Sequence, residues 1–315
     1  MRRLTLGTRG SQLALVQSRF VQSELRRAHP DLDIEIRVIR TTGDAIQDRP
    51  LHQIGGDGLF IKAIESALLN EEIDLAVHSM KDLPSAIPEG LRIAAVPQRR
   101  DARDAFVGDR VRTIQGLPPK ARIATGSLRR KSQLLKWRRD LVLLPLRGNV
   151  PTRIEKLDGA DWDGIILAAA GLERLGLSER IAFPIPPDIM LPAVGQGGLA
   201  VEIRAADDQV AALVQPLNDD DSAVAIESER ALLKRLAGGC QVPIAGHATL
   251  HEGTIRLEAY VGSEDGTTSF REALEGPRSE STRLGLRLAE KMLEAGAETL
   301  VASFPRPEDA GRERG

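Results

Sequence analysis

A single thiol, Cys240, stands in the segment LAGGCQVP (236–243) of this 315-residue chain. Two glycines before it permit close backbone approach, and Pro243 soon restricts the chain again. One cysteine excludes an intrachain disulfide, a multi-cysteine zinc site and a self-contained Cys-x-x-Cys redox centre. A loop thiol can serve as nucleophile, redox sensor or covalent tether, or simply as a small buried hydrophobe. No neighbouring His-Asn or His-Asp pattern marks a cysteine hydrolase, which favours attachment over turnover.

A second reactive type is Asp82, in the turn HSMKDLP (78–84) at the end of an apolar strand pattern. A carboxylate in a partly closed cleft can stabilise a developing cation and exchange protons with an amine or a ring N–H. The plainer readings are an Asx turn or a surface pair with Lys81. His78, on the apolar strand itself, reads as a satisfied core histidine.

Two further strand ends share one chemistry: TRGS (8–11) and TGSLRR (125–130). Each joins small hydroxyl residues to an Arg at a helix start, where free backbone N–H groups and the helix dipole favour an anion. Ordinary N-capping with solvated Arg side chains is the alternative. Around the second end, residues 122–153 hold nine Lys and Arg against Asp140 alone, in a chain whose net charge is −2. Arg147 and Arg153 lie beyond the basic helix, around a Gly turn, where a pocket for several small carboxylates fits better than a phosphodiester track. A nucleic-acid patch over 127–139 stays open and predicts salt-sensitive retention on DNA.

The elements that must position these residues follow two alternating β/α series. Strand patterns at 4–7, 34–38 and 73–77 alternate with helices at 11–27 and 59–70. After about residue 104, strands at 123–124, 141–144 and 164–168 alternate with helices at 127–138 and 169–175. Such alternation implies parallel sheets covered by helices. A third series has a helix at 223–236, hairpin-like strands at 246–250, 254–261 and 268–273, and a helix from 281. That grouping indicates an α+β unit. Residues 218–221 (NDDD) read as a linker, 41–58 as a long binding loop or lid, and 305–315 as a frayed tail.

Composition limits the function classes. With 42% hydrophobic and 28% charged residues the chain is ordinary for a globular protein. Aromatics at 3% leave little for stacking single-stranded nucleic acid. The longest apolar run, GIILAAAGL (164–172), falls well short of the ~20 residues of a membrane helix. No signal-peptide pattern follows the basic start, so a cytoplasmic location is expected, and no metal-ligand set stands out.

The segments GTRGSQLALVQ (7–17), TTGD (41–44), GGDGLFIKAIESALL (55–69), DLAVHSMKDLP (74–84), RRDARDAFV (99–107), ATGSLRR (124–130), LRGNVPTRIEKL (146–157), LPAVGQGGLAVEIR (191–204) and ERALLKRLAGGCQVPIAGHA (229–248) occur in an order that closely resembles the porphobilinogen deaminase family. The resemblance implies an α/β fold: two periplasmic-binding-protein-like α/β lobes with crossover strands near 98–103 and 192–198, plus a small α+β C-terminal domain. The corresponding divisions are 1–98 plus 198–217, 103–192 and 221–304. It implies a monomer that condenses four porphobilinogen molecules head to tail into hydroxymethylbilane, releasing four ammonia. The primer is a dipyrromethane cofactor held by a thioether to Cys240.

On the same resemblance, Asp82 is catalytic: it hydrogen-bonds pyrrole N–H groups, stabilises the azafulvene cation left by ammonia loss, and relays protons. Lys81, Ser79, Thr125, Ser127, Arg129, Arg130 and Arg147 match cofactor-binding positions. Arg9, Ser11, Gln17, Phe60, Arg153 and Arg174 match substrate-binding ones. Gly126 and Gly10 depart from the family pattern, each where many relatives carry a larger polar residue. A non-catalytic bilobal binder of a small polycarboxylate is the competing reading, and it leaves Cys240 without a task.

Overall fold

The structure, a computed structural model, describes residues 3–39, 61–236 and 242–304. Contacts divide these into two compact units, residues 3–100 with 198–224 and residues 101–197 with 225–304.

The first unit contains β1 (Arg3–Thr8), α1 (Gln12–Ala28), β2 (Asp33–Val38), α2 (Lys62–Leu69), β3 (Leu75–Ser79) and β4 (Leu91–Ala95). The chain returns to it with β10 (Leu199–Arg204) and α6 (Asp208–Val214). Its sheet has the order β2-β1-β3-β10-β4. β1 runs parallel to β2 and β3, and β10 antiparallel to β3 and β4. Side chains alternate across the sheet. Leu75, Val77, Leu199 and Val201 pack with Val21 and Leu25 of α1 on one face, while Ala76 packs with Ile64, Ala67 and Leu68 of α2 on the other. Each such Leu, Ile or Val removed from water contributes about 1.5–3 kcal/mol. α1 starts at the expected cap, with Ala14 N donating to Ser11 Oγ at 3.3 Å.

The second unit opens with β5 (Asp104–Val107), β6 (Arg122–Ala124), α3 (Leu128–Trp137), β7 (Val142–Leu144), α4 (Val150–Asp158), β8 (Gly164–Ala168), α5 (Ala169–Arg174) and β9 (Ile181–Pro184). Its sheet, β7-β6-β8-β5-β9, follows the plan of the first. β6, β7 and β8 correspond to β1, β2 and β3, and β5 is the antiparallel strand that corresponds to β10. α7 (Asp220–Arg235) leads into an antiparallel meander of β11 (Ile244–His251), β12 (Thr254–Gly262) and β13 (Ser269–Pro277). α8 (Ser281–Met292) lies on β13, burying Leu284 and Leu288, and is followed by α9 (Glu298–Ala302). The fold class is therefore two α/β lobes with a small C-terminal α+β unit.

Two expectations are corrected. Neither five-stranded sheet is wholly parallel, because each takes in one antiparallel strand, and both of these strands follow a passage of the chain from one unit to the other. Residues 218–221 are not a loose linker. Asn218 Oδ1 accepts from Val96 N at 3.0 Å, Asp219 Oδ1 accepts from Ser222 N at 2.9 Å, and Asp220 begins α7. Acidic residues are favoured at that place because they satisfy free N–H groups and oppose the helix dipole. The expected lid at 41–58, Phe60, Cys240 and the tail 305–315 lie outside the described residues.

Candidate active site

In the first unit, β3 ends at Ser79 and the chain turns through a 3-10 segment, Met80–Asp82. Met80 N donates to the Gly198 carbonyl at 3.1 Å, and Leu83 N to the Met80 carbonyl at 3.2 Å. Met80 and Leu83 are buried while Asp82 between them is exposed. The buried pair anchors the turn and leaves the carboxylate outside. Asp82 makes neither an Asx-turn bond nor an ion pair with Lys81; among the described residues its side chain has no partner. Gln17 of α1 reaches the same strand end, with Nε2 donating to Ser79 Oγ at 2.9 Å. Ser11 is committed to its helix cap, and Arg9 is half-buried just before it. Arg9, Ser11, Gln17, Ser79, Lys81 and Asp82 thus stand at the carboxyl ends of β1 and β3, neighbouring parallel strands, where open α/β sheets bind ligands.

In the second unit, the equivalent strand end after β6 carries Thr125 and Ser127. Ser127 N donates to Thr125 Oγ1 at 3.2 Å, and Ser127 Oγ caps α3 by accepting from Arg130 N at 3.5 Å. Both hydroxyls are used as acceptors by these bonds, so each keeps an O–H to donate to an anion. Gly126 fits because a Cβ there would lie 2.4 Å from the Leu146 carbonyl oxygen. At Gly10 a Cβ would make an ordinary 3.4 Å contact with Val38, so only the first departure is imposed by packing.

Arg129 and Arg130 turn inward, each 6% exposed. Both meet Asp104, which is wholly buried. Arg129 Nη1 donates to Asp104 Oδ2 and to the Leu191 carbonyl, both at 2.7 Å. Arg130 Nε donates to Asp104 Oδ1 at 2.9 Å and its Nη1 to the Ile166 carbonyl at 2.8 Å. Gln196 Nε2 adds a bond to Asp104 Oδ1 at 3.1 Å. Burial alone would raise the Asp104 pKa, but the two guanidinium groups outweigh it and hold the carboxyl well below the usual range.

The basic excess of residues 122–153 is partly neutralised, by two acids outside the segment and by the one acid within it. Arg122 pairs with Asp161, Lys131 with Glu264 and Arg138 with Asp140. Arg147, by contrast, is exposed and its guanidinium has no partner among the described residues. It precedes Gly148, whose φ of +112° suits glycine, and Asn149, which caps α4 by accepting from Thr152 N at 2.9 Å. Arg153 Nε donates to the Gly148 carbonyl at 2.7 Å, and Arg174 Nη2 to the Gly197 carbonyl at 2.7 Å.

Sequence reasoning assigned no role to Asp104, Gln196, Glu65 or Glu202. The available signal was an acid at an inward position of an apolar element, as in RDAFV and LAVEIR.

The chain is thus a protein of two α/β lobes, one with an exposed carboxylate after a strand and the other with hydroxyl groups at a capped helix start. Residues 4–212 match the family described as "Porphobilinogen deaminase, dipyromethane cofactor binding domain", and residues 223–294 match "Porphobilinogen deaminase, C-terminal domain". The curated porphobilinogen deaminase of Syntrophotalea carbinolica is 49% identical over 301 residues, covering 96% of each chain. That of Geobacter sulfurreducens is 48% identical over 302 residues, covering 96% of this chain and 95% of the relative. The chain belongs to the porphobilinogen deaminase family. Among solved structures, the methionine binding protein MetQ aligns with 68% of this chain and 89% of its own, at 10% identity and a TM-score of 0.42.

Proposed function

We propose that the chain catalyses the deaminating polymerisation of four porphobilinogen molecules into hydroxymethylbilane, with Asp82 as its catalytic residue. Family membership over both domains carries the reaction, and one observation supports the role of Asp82: an exposed carboxylate, without a partner among the described residues, on a turn fixed by buried neighbours. Such a group can accept a pyrrole N–H, stabilise a cation formed when ammonia departs, and take up the proton the ring must lose. Gln17, through Ser79, braces the strand end that carries it.

The residues present fit a dipyrromethane cofactor. In the second unit two guanidinium groups share one carboxylate, which leaves a surplus positive charge, and Thr125, Ser127 and Arg147 add donors. When bound, the dipyrromethane supplies the free pyrrole carbon from which the product grows. Arg129, Arg130, Arg147, Lys81, Ser79, Thr125 and Ser127 would hold its carboxylates, and Arg9, Ser11, Gln17, Phe60, Arg153 and Arg174 those of incoming substrate. Cys240 would anchor it by a thioether. In this reading the chain is a cytoplasmic monomer whose partner is its small-molecule substrate, with no nucleic acid or membrane. Its parts are a lobe of 1–98 plus 198–217, a lobe of 103–192 and a cysteine-bearing domain of 221–304. No described helix is long and apolar enough to cross a membrane.

Intact mass tests the anchor. Protein from porphobilinogen-producing cells should exceed its chain mass by one dipyrrole, and Cys240→Ser should lose that excess; a bare-chain mass for the unsubstituted protein sinks the tether. Asp82→Asn should keep the excess while ammonia release falls by about 10²–10⁴. Near-normal release would remove Asp82 from the chemistry.

A further inference from the structure

Arg129 spends only part of its guanidinium inside the protein. Nη1 and Nη2 fork onto Asp104 at 2.7 and 3.2 Å, and Nη1 also donates to the Leu191 carbonyl at 2.7 Å. The side chain is buried and makes no other bond among the described residues. Nε and the second Nη2 hydrogen therefore remain as one edge of two parallel N–H groups, the fork that matches a carboxylate.

The Leu191 carbonyl is itself held. Gln133 lies one turn along α3 from Arg129, on the same helix face. Its amide takes both backbone polar groups of Leu191: Leu191 N donates to Gln133 Oε1 at 2.8 Å, and Gln133 Nε2 donates to the Leu191 carbonyl at 3.1 Å. Nε2 also donates to the Arg129 carbonyl at 3.3 Å, so both amide hydrogens are used. The leucine side chain has a second support, for it forms one buried cluster with Ala245 of β11 and Tyr260 of β12. Tyr260 is fixed in turn by Ser132 of α3, whose Oγ lies 2.7 Å from the phenol oxygen. Gly246 N of β11 donates to the neighbouring Pro192 carbonyl at 3.1 Å.

Three acceptors, two on Asp104 and one on Leu191, fix the plane of the Arg129 guanidinium. A long side chain ordered only when its ligand arrives loses affinity to rotamer entropy, and one already held does not. Asp104 is anchored within its own sheet. Leu191 is the acceptor whose place depends on α3 and on the C-terminal sheet together.

We propose that Gln133 and Tyr260 are positioning residues that clamp Leu191, so that its carbonyl aims the remaining edge of Arg129 at a ligand carboxylate. The proposal rests on Arg129 holding a carboxylate of the cofactor. It gives the C-terminal sheet a part in that site, because β11 and β12 brace the guanidinium from outside the lobe that carries it.

The test reads dipyrrole loading by intact mass in protein from porphobilinogen-producing cells, with every variant kept below its thermal midpoint. Q133M, close in size but without the amide, should lower the loaded fraction about fivefold. Y260A should lower it as well. Y260F keeps the ring on Leu191 and loses only the bond to Ser132, so it should load like the parent although its thermal midpoint falls. On an R129K background, which keeps the charge without the fork, Q133M should add little further loss, because the group it aims is gone. Parental loading in folded Q133M overturns the proposal, and so does a loss that repeats in full on R129K, since Gln133 would then act through stability alone. Should Q133M fail to fold, equal loading in Y260A and Y260F overturns it instead. R129A loading like the parent removes Arg129 from the cofactor site, and this proposal with it.

Discussion

Asp104 and Glu202 are both wholly buried carboxylates on the antiparallel strands that occupy equivalent places in the two sheets. Asp104 gathers two guanidinium groups and an amide, and its charge is held even in acid. Glu202 has one imidazole and an oxygen with no partner, with the buried Glu65 beside it. The same difficulty, a carboxylate out of water, is met in one lobe by two guanidinium groups and an amide, and in the other by one imidazole, with an oxygen left without a partner. The Asp104 carboxylate stays charged throughout the physiological range and keeps Arg129 and Arg130 in place. The His78–Glu202 pair stands at the end of the ladder from which the Asp82 turn departs.

The largest break in this comparison should come from Asp104→Ala. Two guanidinium groups would be stranded in the interior, costing about 3–5 kcal/mol in urea unfolding. A loss below about 1 kcal/mol would mean that Arg129 and Arg130 escape to water, and the contrast would fail. A smaller effect separates the sites by sign. The stability that Asp104 lends is present above the ordinary carboxylate range and lost as pH falls, so unfolding free energy measured from pH 5 to 2 should decline more steeply in the parent than in Asp104→Asn. Glu65, raised rather than lowered, loses its contribution in the opposite direction. Equal slopes in the parent and Asp104→Asn would erase the distinction. Smallest in stability is Arg147→Ala, within about 0.5 kcal/mol because the side chain is exposed. Its signature should be impaired dipyrrole loading or chain extension, read by intact mass; normal loading and extension would make the residue plain surface.

Local signals carried much of the site. Ser11 and Ser127 were legible as caps, GIILA (164–168) as a strand, and Asp82 as a turn residue closed by a proline. Partners far along the chain were not. The Arg129 guanidinium is claimed by an acid 25 residues upstream, His78 by one 124 residues downstream, and Lys131 by one 133 residues downstream. A window of charges shows an excess but not what neutralises it. The antiparallel strands escaped for a related reason: LAVEIR is buried on both faces, so it reads as a bare apolar run with an acid in it.

The placement of β10 also sets an order of assembly. It lies between β3 and β4, yet it is made last: Leu199 pairs with Ser79, 120 positions earlier. In the second sheet the equivalent strand, β5, comes first in the chain. On the ribosome, then, the second sheet has its antiparallel strand waiting, while the first holds β3 and β4 as two unpaired edges until the second has been synthesised. Such edges invite pairing with other chains, and closing a loop of this length is slow. The lobe that carries Asp82 is therefore the one whose nascent chain has most need of a chaperone.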